Sequence, residues 1–201
     1  MKDSYPSQGE LVSYNDCIDF NELLKDICAL ANNQGGTIYC GINAKGKIIG
    51  IDPTYFSEQL SEYLKMTLPP FISLENEIVL TGHKYIVLLK VEKSDRIVSF
   101  RIAEQESKVY FRLGTHSVEA SKILLSLIKL EKGILISKRD INENMQNELV
   151  NLVQTSNGIS LSQIYLQSNL SKREIDKLLP FLIHLNQISL QWSNDKIQFI
   201  S

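Results

Sequence analysis

Several short groups of residues in this sequence have side chains suited to meeting a phosphate. Lys45 and Lys47 flank Gly46 in Asn43-Ala44-Lys45-Gly46-Lys47. Two positive charges at a hairpin tip could touch a nucleic-acid backbone, and a solvated turn has the same composition. Arg112 stands in Phe111-Arg112-Leu113-Gly114, followed by Thr115, His116 and Ser117. A guanidinium beside hydroxyls and a glycine can take a phosphate through two parallel hydrogen bonds, or it can form a structural salt bridge. Gly35-Gly36 has the residue type of a phosphate loop but not its order. Such a loop runs from strand through glycines to a helix N-terminus, whose N–H groups point at the anion. Here the glycines follow a helix C-terminus, which carries partial negative charge, so they read as a helix stop. His116 reads as a surface or capping residue, His83 as part of a hairpin turn and His184 as helical, so none is assigned acid–base chemistry.

The elements that must position these residues centre on Phe20 to Ile51. Phe20, Leu23, Leu24, Ile27, Leu30 and Ala31 recur at helical spacing, with Asp19 as the N-cap and Glu22 in the first turn. Asn32 to Gly36 ends that helix, and Thr37–Ile42 and Lys47–Ile51 read as two strands of a hairpin. Residues 1–9 are a polar lead-in and Glu10–Tyr14 a short first strand. Asp52-Pro53 starts a second helix that Pro69-Pro70 stops. Glu77–Leu80 and Tyr85–Val91 form a second hairpin. The latter run is apolar throughout and predicts a central strand buried on both faces. Ile97–Ile102 and Lys108–Leu113 read as further strands. A helix from Ser117 or Val118 to about Leu130 closes the first domain.

A second pattern starts near Asp140. Met145, Leu149, Leu152 and Val153 mark one helix, and Ser160 caps a short second one. Ser171 and Glu174 form a capping box before a long third helix that contains Pro180. Ile188–Trp192 and Lys196–Ile200 read as a closing hairpin, with Trp192 and Phe199 as core or partner surface.

Composition narrows the function classes. The chain has 201 residues, 43% hydrophobic and 22% charged, with a net charge of −2, so it can bury a core and is not an avid polyanion binder overall. Cys17, Cys28 and Cys40 lack metal-ligand pairing, and two lie in apolar runs, which predicts a reducing cytoplasm. The N-terminus has no apolar signal core and no run reaches membrane-span length, so no membrane partner is predicted.

Ile27-Cys28-Ala29-Leu30-Ala31-Asn32, Gly35-Gly36-Thr37, Gly41-Ile42 and Gly46-Lys47-Ile48-Ile49-Gly50-Ile51 occur in one order. Val109 to Thr115 follow as a second block, with Ala120-Ser121 after it. Together these residues resemble the Schlafen-type AlbA-like domain, described in many bacterial proteins as DNA-binding, over roughly residues 9–125. Some relatives are nucleases, in which an early acidic stretch and an Asp after the first hairpin strand hold a divalent metal that activates water. Under this resemblance Ser13 stands for the Glu and Asn15 for the Lys of the early stretch, Gln8 falls near the other acidic position and Asn43 follows the strand, all neutral. Glu10, Asp16 and Asp19 are nearby carboxylates out of register that a shifted alignment could recruit. Residues 140–201 resemble a winged helix-turn-helix domain, which often follows the AlbA-like one.

These readings give an α+β fold: a Schlafen AlbA-like mixed-sheet domain at 1–130, a linker at 131–139 and a small winged-helix domain at 140–201. The winged-helix resemblance puts Ser171, Lys172, Arg173 and Lys177 at base edges, Gln163 against the backbone and Lys196 on the wing. Residues 140–201 hold four basic and six acidic side chains, which predicts weak binding by one copy. The predicted function is a transcriptional regulator that binds nucleic acid, DNA rather than RNA, as a homodimer. No catalytic residue, metal or cofactor is assigned. The alternatives are a metal-dependent RNA or DNA nuclease using the displaced carboxylates, and a protein-interaction module.

Overall fold

The computed structural model describes residues 5–17, 19–103, 106–133 and 142–201. They fall into two compact units, Met1–Glu119 and Ala120–Ser201.

The first unit is built on helix α1 (Phe20–Asn32), whose Asp19 cap accepts from the Asn21 N–H at 2.8 Å. Leu23, Leu24, Ile27, Leu30 and Ala31 are fully buried, as their spacing predicts. The glycine stop has a steric reason. A Cβ on Gly35 would lie 2.7 Å from the Val91 carbonyl oxygen, and one on Gly36 would lie 2.5 Å from that of Leu11. The chain passes so closely between neighbours that only glycine fits.

Strands β1 (Val12–Asn15), β2 (Gly36–Cys40), β3 (Leu74–Thr81) and β4 (Lys84–Val91) form a sheet in the order β1-β2-β4-β3. β1 runs parallel to β2 and the other pairs are antiparallel, so the sheet is mixed. β4 is central, but Lys84, Tyr85 and Lys90 are exposed, so only its middle is buried on both faces. The first hairpin is shorter than its sequence predicts: Ile42 and Ile48 form a single bridge and no return strand continues. Gly41 and Gly50 adopt φ of +92° and +81° and turn the chain away, and the Ile51 N–H instead donates to the Tyr85 carbonyl at 2.9 Å. Helix α2 (Pro53–Thr67) starts where Asp52 accepts from the Thr54 and Tyr55 N–H groups.

After β5 (Phe100–Ala103), the expected strand 108–113 divides into β6 (Glu106–Lys108) and β7 (Tyr110–Leu113). The helix expected from Ser117 or Val118 is instead strand β8 (His116–Glu119), paired with β7. Gly114, at φ +57°, makes the turn, and Val118 faces its partner Phe111 on the buried side.

Helix α3 (Lys122–Glu131) begins after Ser121, whose hydroxyl accepts from the Leu124 N–H. It belongs to the second unit and does not close the first. Ile123 packs in one apolar cluster with Leu149, Val153, Ile175 and Leu179, and Lys122 pairs with Asp176 at 2.7 Å. The contact boundary therefore falls ahead of residue 130. The expected linker lies largely outside the described residues. Helix α4 (Glu143–Gln154), β9 (Ile159–Ser160), α5 (Leu161–Gln167), α6 (Lys172–His184), β10 (Ser189–Ser193) and β11 (Lys196–Ile200) complete the unit. Its sheet is ordered β10-β11-β9 and is antiparallel. Both α5 and α6 begin with capping boxes, Ser160/Gln163 and Ser171/Glu174. Pro180 lies inside α6 and is buried.

Asn32 is a polar residue on the buried stripe of α1. Its amide donates to the Val98 carbonyl at 2.8 Å and the Tyr110 carbonyl at 3.0 Å, and its oxygen accepts from the Val98 N–H at 2.8 Å. Asn32→Ala removes three hydrogen bonds; the Val98 carbonyl keeps the Cys28 thiol at 3.3 Å, while the Val98 N–H and the Tyr110 carbonyl each lose this partner, at about 1–3 kcal/mol each when water cannot reach them. We expect a loss of roughly 3 kcal/mol in urea denaturation followed by circular dichroism. A loss below about 0.5 kcal/mol would mean that solvent replaces these bonds.

Candidate nucleic-acid interface

Arg112, a candidate phosphate ligand by sequence, is 1% exposed. Its guanidinium donates to the Gly9 carbonyl at 3.2 Å, the Val12 carbonyl at 3.0 Å, the Ser117 hydroxyl at 3.1 Å and the Asp26 carboxylate at 3.3 Å. Burial pulls its pKa below the ordinary arginine value, and the Asp26 charge pushes it back. Of the two readings open from sequence, this geometry is that of the structural salt bridge. Thr115 stands in solvent on the β7–β8 turn, with its hydroxyl 3.2 Å from the His116 ring, so it does not converge with Arg112 on one pocket.

Asp26 was not singled out by sequence, and Ser117 only as a hydroxyl following Arg112. Asp26 also accepts from the hydroxyls of Ser117 at 2.6 Å and Ser13 at 2.8 Å. The positions that would match metal ligands are engaged as well. Asn15 accepts from the Cys17 N–H, and Asn43 accepts from the Lys45 and Lys47 N–H groups. Gln8 accepts from the Tyr14 N–H and donates to the Ala44 carbonyl. Asp19 caps α1. Among the described residues, no three His, Cys, Asp or Glu side chains come together as metal ligands.

The loop after β2 presents cations. The Asn43 side chain folds back on the turn, and the Gly46 N–H donates to the Asn43 carbonyl at 2.8 Å. Lys45 and Lys47 are exposed on this fixed tip and form no ion pair among the described residues. Lys84 reaches the same loop, donating to the Ile48 carbonyl at 3.1 Å.

In the second unit, the start of α6 carries the other candidates. Ser171 is spent on its capping box: its hydroxyl donates to Glu174 at 2.6 Å and accepts from the Glu174 N–H. These bonds, together with Lys177, hold the Glu174 carboxyl below its ordinary pKa. Lys172, Arg173 and Lys177 are exposed. Arg173 and Lys177 are four residues apart, so they share a face. The Lys172 ammonium lies 5.4 Å from the Tyr165 ring centroid. Gln163 is engaged in the α5 capping box. Lys196 is exposed at the start of β11, after Asn194 and Asp195 turn the hairpin with positive φ. Residues 120–201 hold nine basic and seven acidic side chains, so including α3 and the segment after it reverses the sign found for 140–201.

Asp176 anchors this region. Its carboxylate accepts from Lys122 and from the Tyr165 hydroxyl. Burial alone would raise the Asp176 pKa, but these bonds hold it below the ordinary value. Burial and the Asp176 contact push the Tyr165 phenol from 10.0 up to about 12.

A family model described as Schlafen, AlbA_2 matches residues 8–121. No curated protein matches the chain. Among solved structures, the N-terminal domain of a RecG-related protein from Nitrosomonas europaea is 19% identical, with a TM-score of 0.42. That match covers 53% of this chain and 80% of the other. The DIP2311 protein from Corynebacterium diphtheriae is 12% identical with a TM-score of 0.45, over 84% of this chain and 37% of its own length. This chain thus spans little more than a third of that protein. At such scores neither structure bears on mechanism or partner.

Removing one partner of a buried charge pair costs about 3–5 kcal/mol. Arg112→Met should lose roughly 3 kcal/mol in urea denaturation while the folded fraction keeps its nucleic-acid affinity. Unchanged stability with lost affinity would return Arg112 to the interface. The Tyr165 pKa is raised on folding, so its contribution is fully present below about pH 10 and is lost as pH rises toward 12. The melting temperature of the unaltered chain should fall more steeply across that window than that of Tyr165→Phe. Equal slopes would remove the Tyr165–Asp176 bond from the account.

Proposed function

The chain belongs to the Schlafen AlbA_2 family, and we propose that it is a nucleic-acid-binding transcriptional regulator with no catalytic centre. The observation that carries this reading is the exposed cation set at the N-terminal end of α6: Lys172, Arg173 and Lys177. We read residues 142–201 as a winged helix. The order helix, short strand, helix, helix, hairpin supports that reading, as does the sheet β10-β11-β9. In this arrangement α6 is the recognition helix and Lys196 stands on the wing. Lys45 and Lys47 on the first unit supply further phosphate contacts, which fix register without reading sequence.

The charge balance favours a modest electrostatic contribution from each copy. The first unit, with 12 basic and 16 acidic side chains, is acidic overall, and the second is slightly basic. Two linked copies would gain avidity that one lacks, so the proposed active form is a homodimer on duplex DNA. Among the described residues no helix is long and apolar enough to cross a membrane. A cytoplasmic setting is proposed on Cys17, Cys28 and Cys40, which form no disulfide among the described residues; Cys28 and Cys40 are buried. A nuclease reading needs clustered carboxylates, and the positions that the resemblance makes acidic are occupied here by Gln8, Ser13 and Asn43.

Fluorescence anisotropy with labelled duplex DNA and single-stranded RNA over a salt series tests this. Each lost phosphate contact reduces the slope of log affinity against log salt by about 0.9 on duplex DNA. Lys172→Ala/Arg173→Ala should therefore lower the slope by about 2 and weaken binding by roughly tenfold. Absence of binding at low salt would refute the regulator. Shortened probes in the presence of manganese would replace it with the nuclease.

A further inference from the structure

The two edges of the first unit's sheet are treated differently. The outer edge of β1 is closed by its own chain. The Val12 carbonyl accepts from the Gly9 N–H at 3.0 Å and from Arg112 at 3.0 Å, and the Tyr14 N–H donates to Gln8 at 3.2 Å. The outer edge of β3 has no such cover: among the described residues, no group hydrogen-bonds to its free main chain. Edge strands are usually guarded by lysine, proline, a bulge or shortness. β3 reads LENEIVLT, pairs with β4 over eight residues without a register shift, and contains neither lysine nor proline.

The side chains of one strand face run from a groove beside α2, which Leu74 and Asn76 line, to an exposed apolar end. Leu74, Asn76, Ile78 and Leu80 alternate onto one face of the strand. Leu74 joins the core, whereas Ile78 is 56% and Leu80 59% exposed. Tyr85, opposite Leu80 on the same face, is also exposed. Between this strand and α2 lies an open cavity of about 520 Å3, lined by Leu60, Leu64, Leu68, Ile72 and Leu74 with Lys65 beside them. A strand added outside β3 would pair with its free main chain and drop alternate side chains against α2.

Charge selects the occupant. Glu75 and Glu77 stand on the other face of β3, Glu75 opposite Lys90, and Glu58 and Glu62 line the adjoining surface of α2, so carboxylates flank the edge on both faces. All four are exposed and form no ion pair among the described residues. A second copy docking its own β3 here would bring the same carboxylates against these. Like charges brought together cost free energy and suppress that pairing. We propose that the β3 edge and the α2 groove form a docking site for an extended protein segment, apolar at alternate positions and flanked by basic residues. This site is separate from the lysine loop and from α6.

The probe is a capped nine-residue peptide with an alternating valine–threonine core and two basic residues at each end, titrated into the full chain. It should bind about tenfold more tightly than the same core with acidic ends. Glu75→Lys/Glu77→Lys alters exposed positions only and should reverse that preference. Methylating alternate core amide nitrogens removes the donors of one strand edge and should abolish binding. Equal binding of the two peptides, retained binding of the methylated one, or no binding up to about 1 mM would overturn the proposal. Sedimentation that reveals a dimer dissolved by Ile78→Lys would also overturn it, by giving the edge to a second copy.

Discussion

Asp26 accepts hydrogen bonds from Ser13 of β1, Arg112 of β7 and Ser117 of β8, so one carboxylate on α1 ties three strands to the helix. A charge taken out of water must be paired and hydrogen-bonded or it is expelled. Arg112 meets that demand for Asp26 and also closes the outer edge of β1 through the Gly9 and Val12 carbonyls. The consequence reaches the surface. The arginine best shaped to grip a phosphate is committed to the interior. In the proposed reading the first unit meets nucleic acid through the lysine loop, whose turn is held by Asn43 and Gln8.

The two units carry their charge differently, and this shapes how a polyanion would meet them. The first unit is net acidic; two of its twelve basic residues, Lys45 and Lys47, stand exposed on the 43–47 loop, and Glu58, Glu62, Glu75 and Glu77 are exposed on α2 and β3. The second has three of its nine basic residues in the first half of α6, where Glu174 and Asp176 are engaged by Ser171, Lys122 and Tyr165.

Much of this architecture is legible in the sequence because local signals agree. The spacing of α1, the Asp19 and Asp52 caps and the Ser171/Glu174 box each fix an end or a face by local chemistry. The errors arise where tertiary contacts decide. Ser117 and Val118 could open a helix or alternate in a strand, and pairing with β7 across Gly114 settles it. The return strand after Gly46 fails because Gly41 and Gly50 turn the chain. The apolar face of α3 fits either unit by composition, and its partners Leu149, Val153 and Ile175 are remote in sequence.

The candidate site was less legible than the fold. Residue type could not separate an arginine that binds phosphate from one that pairs with Asp26, since both want a planar fork of donors. Asn32 did carry a signal: it stands four residues after Cys28 on the apolar stripe, where a polar side chain must find partners. Asp26 carried none, because its partners come from distant strands.

The central claim is that nucleic acid meets the start of α6 and the lysine loop. Amide hydrogen exchange of the full chain, with and without saturating duplex DNA at low salt, tests it most directly. The account predicts slowed exchange across 171–177 and 43–47, with little change along β3. Saturated binding that leaves both segments unprotected would contradict it.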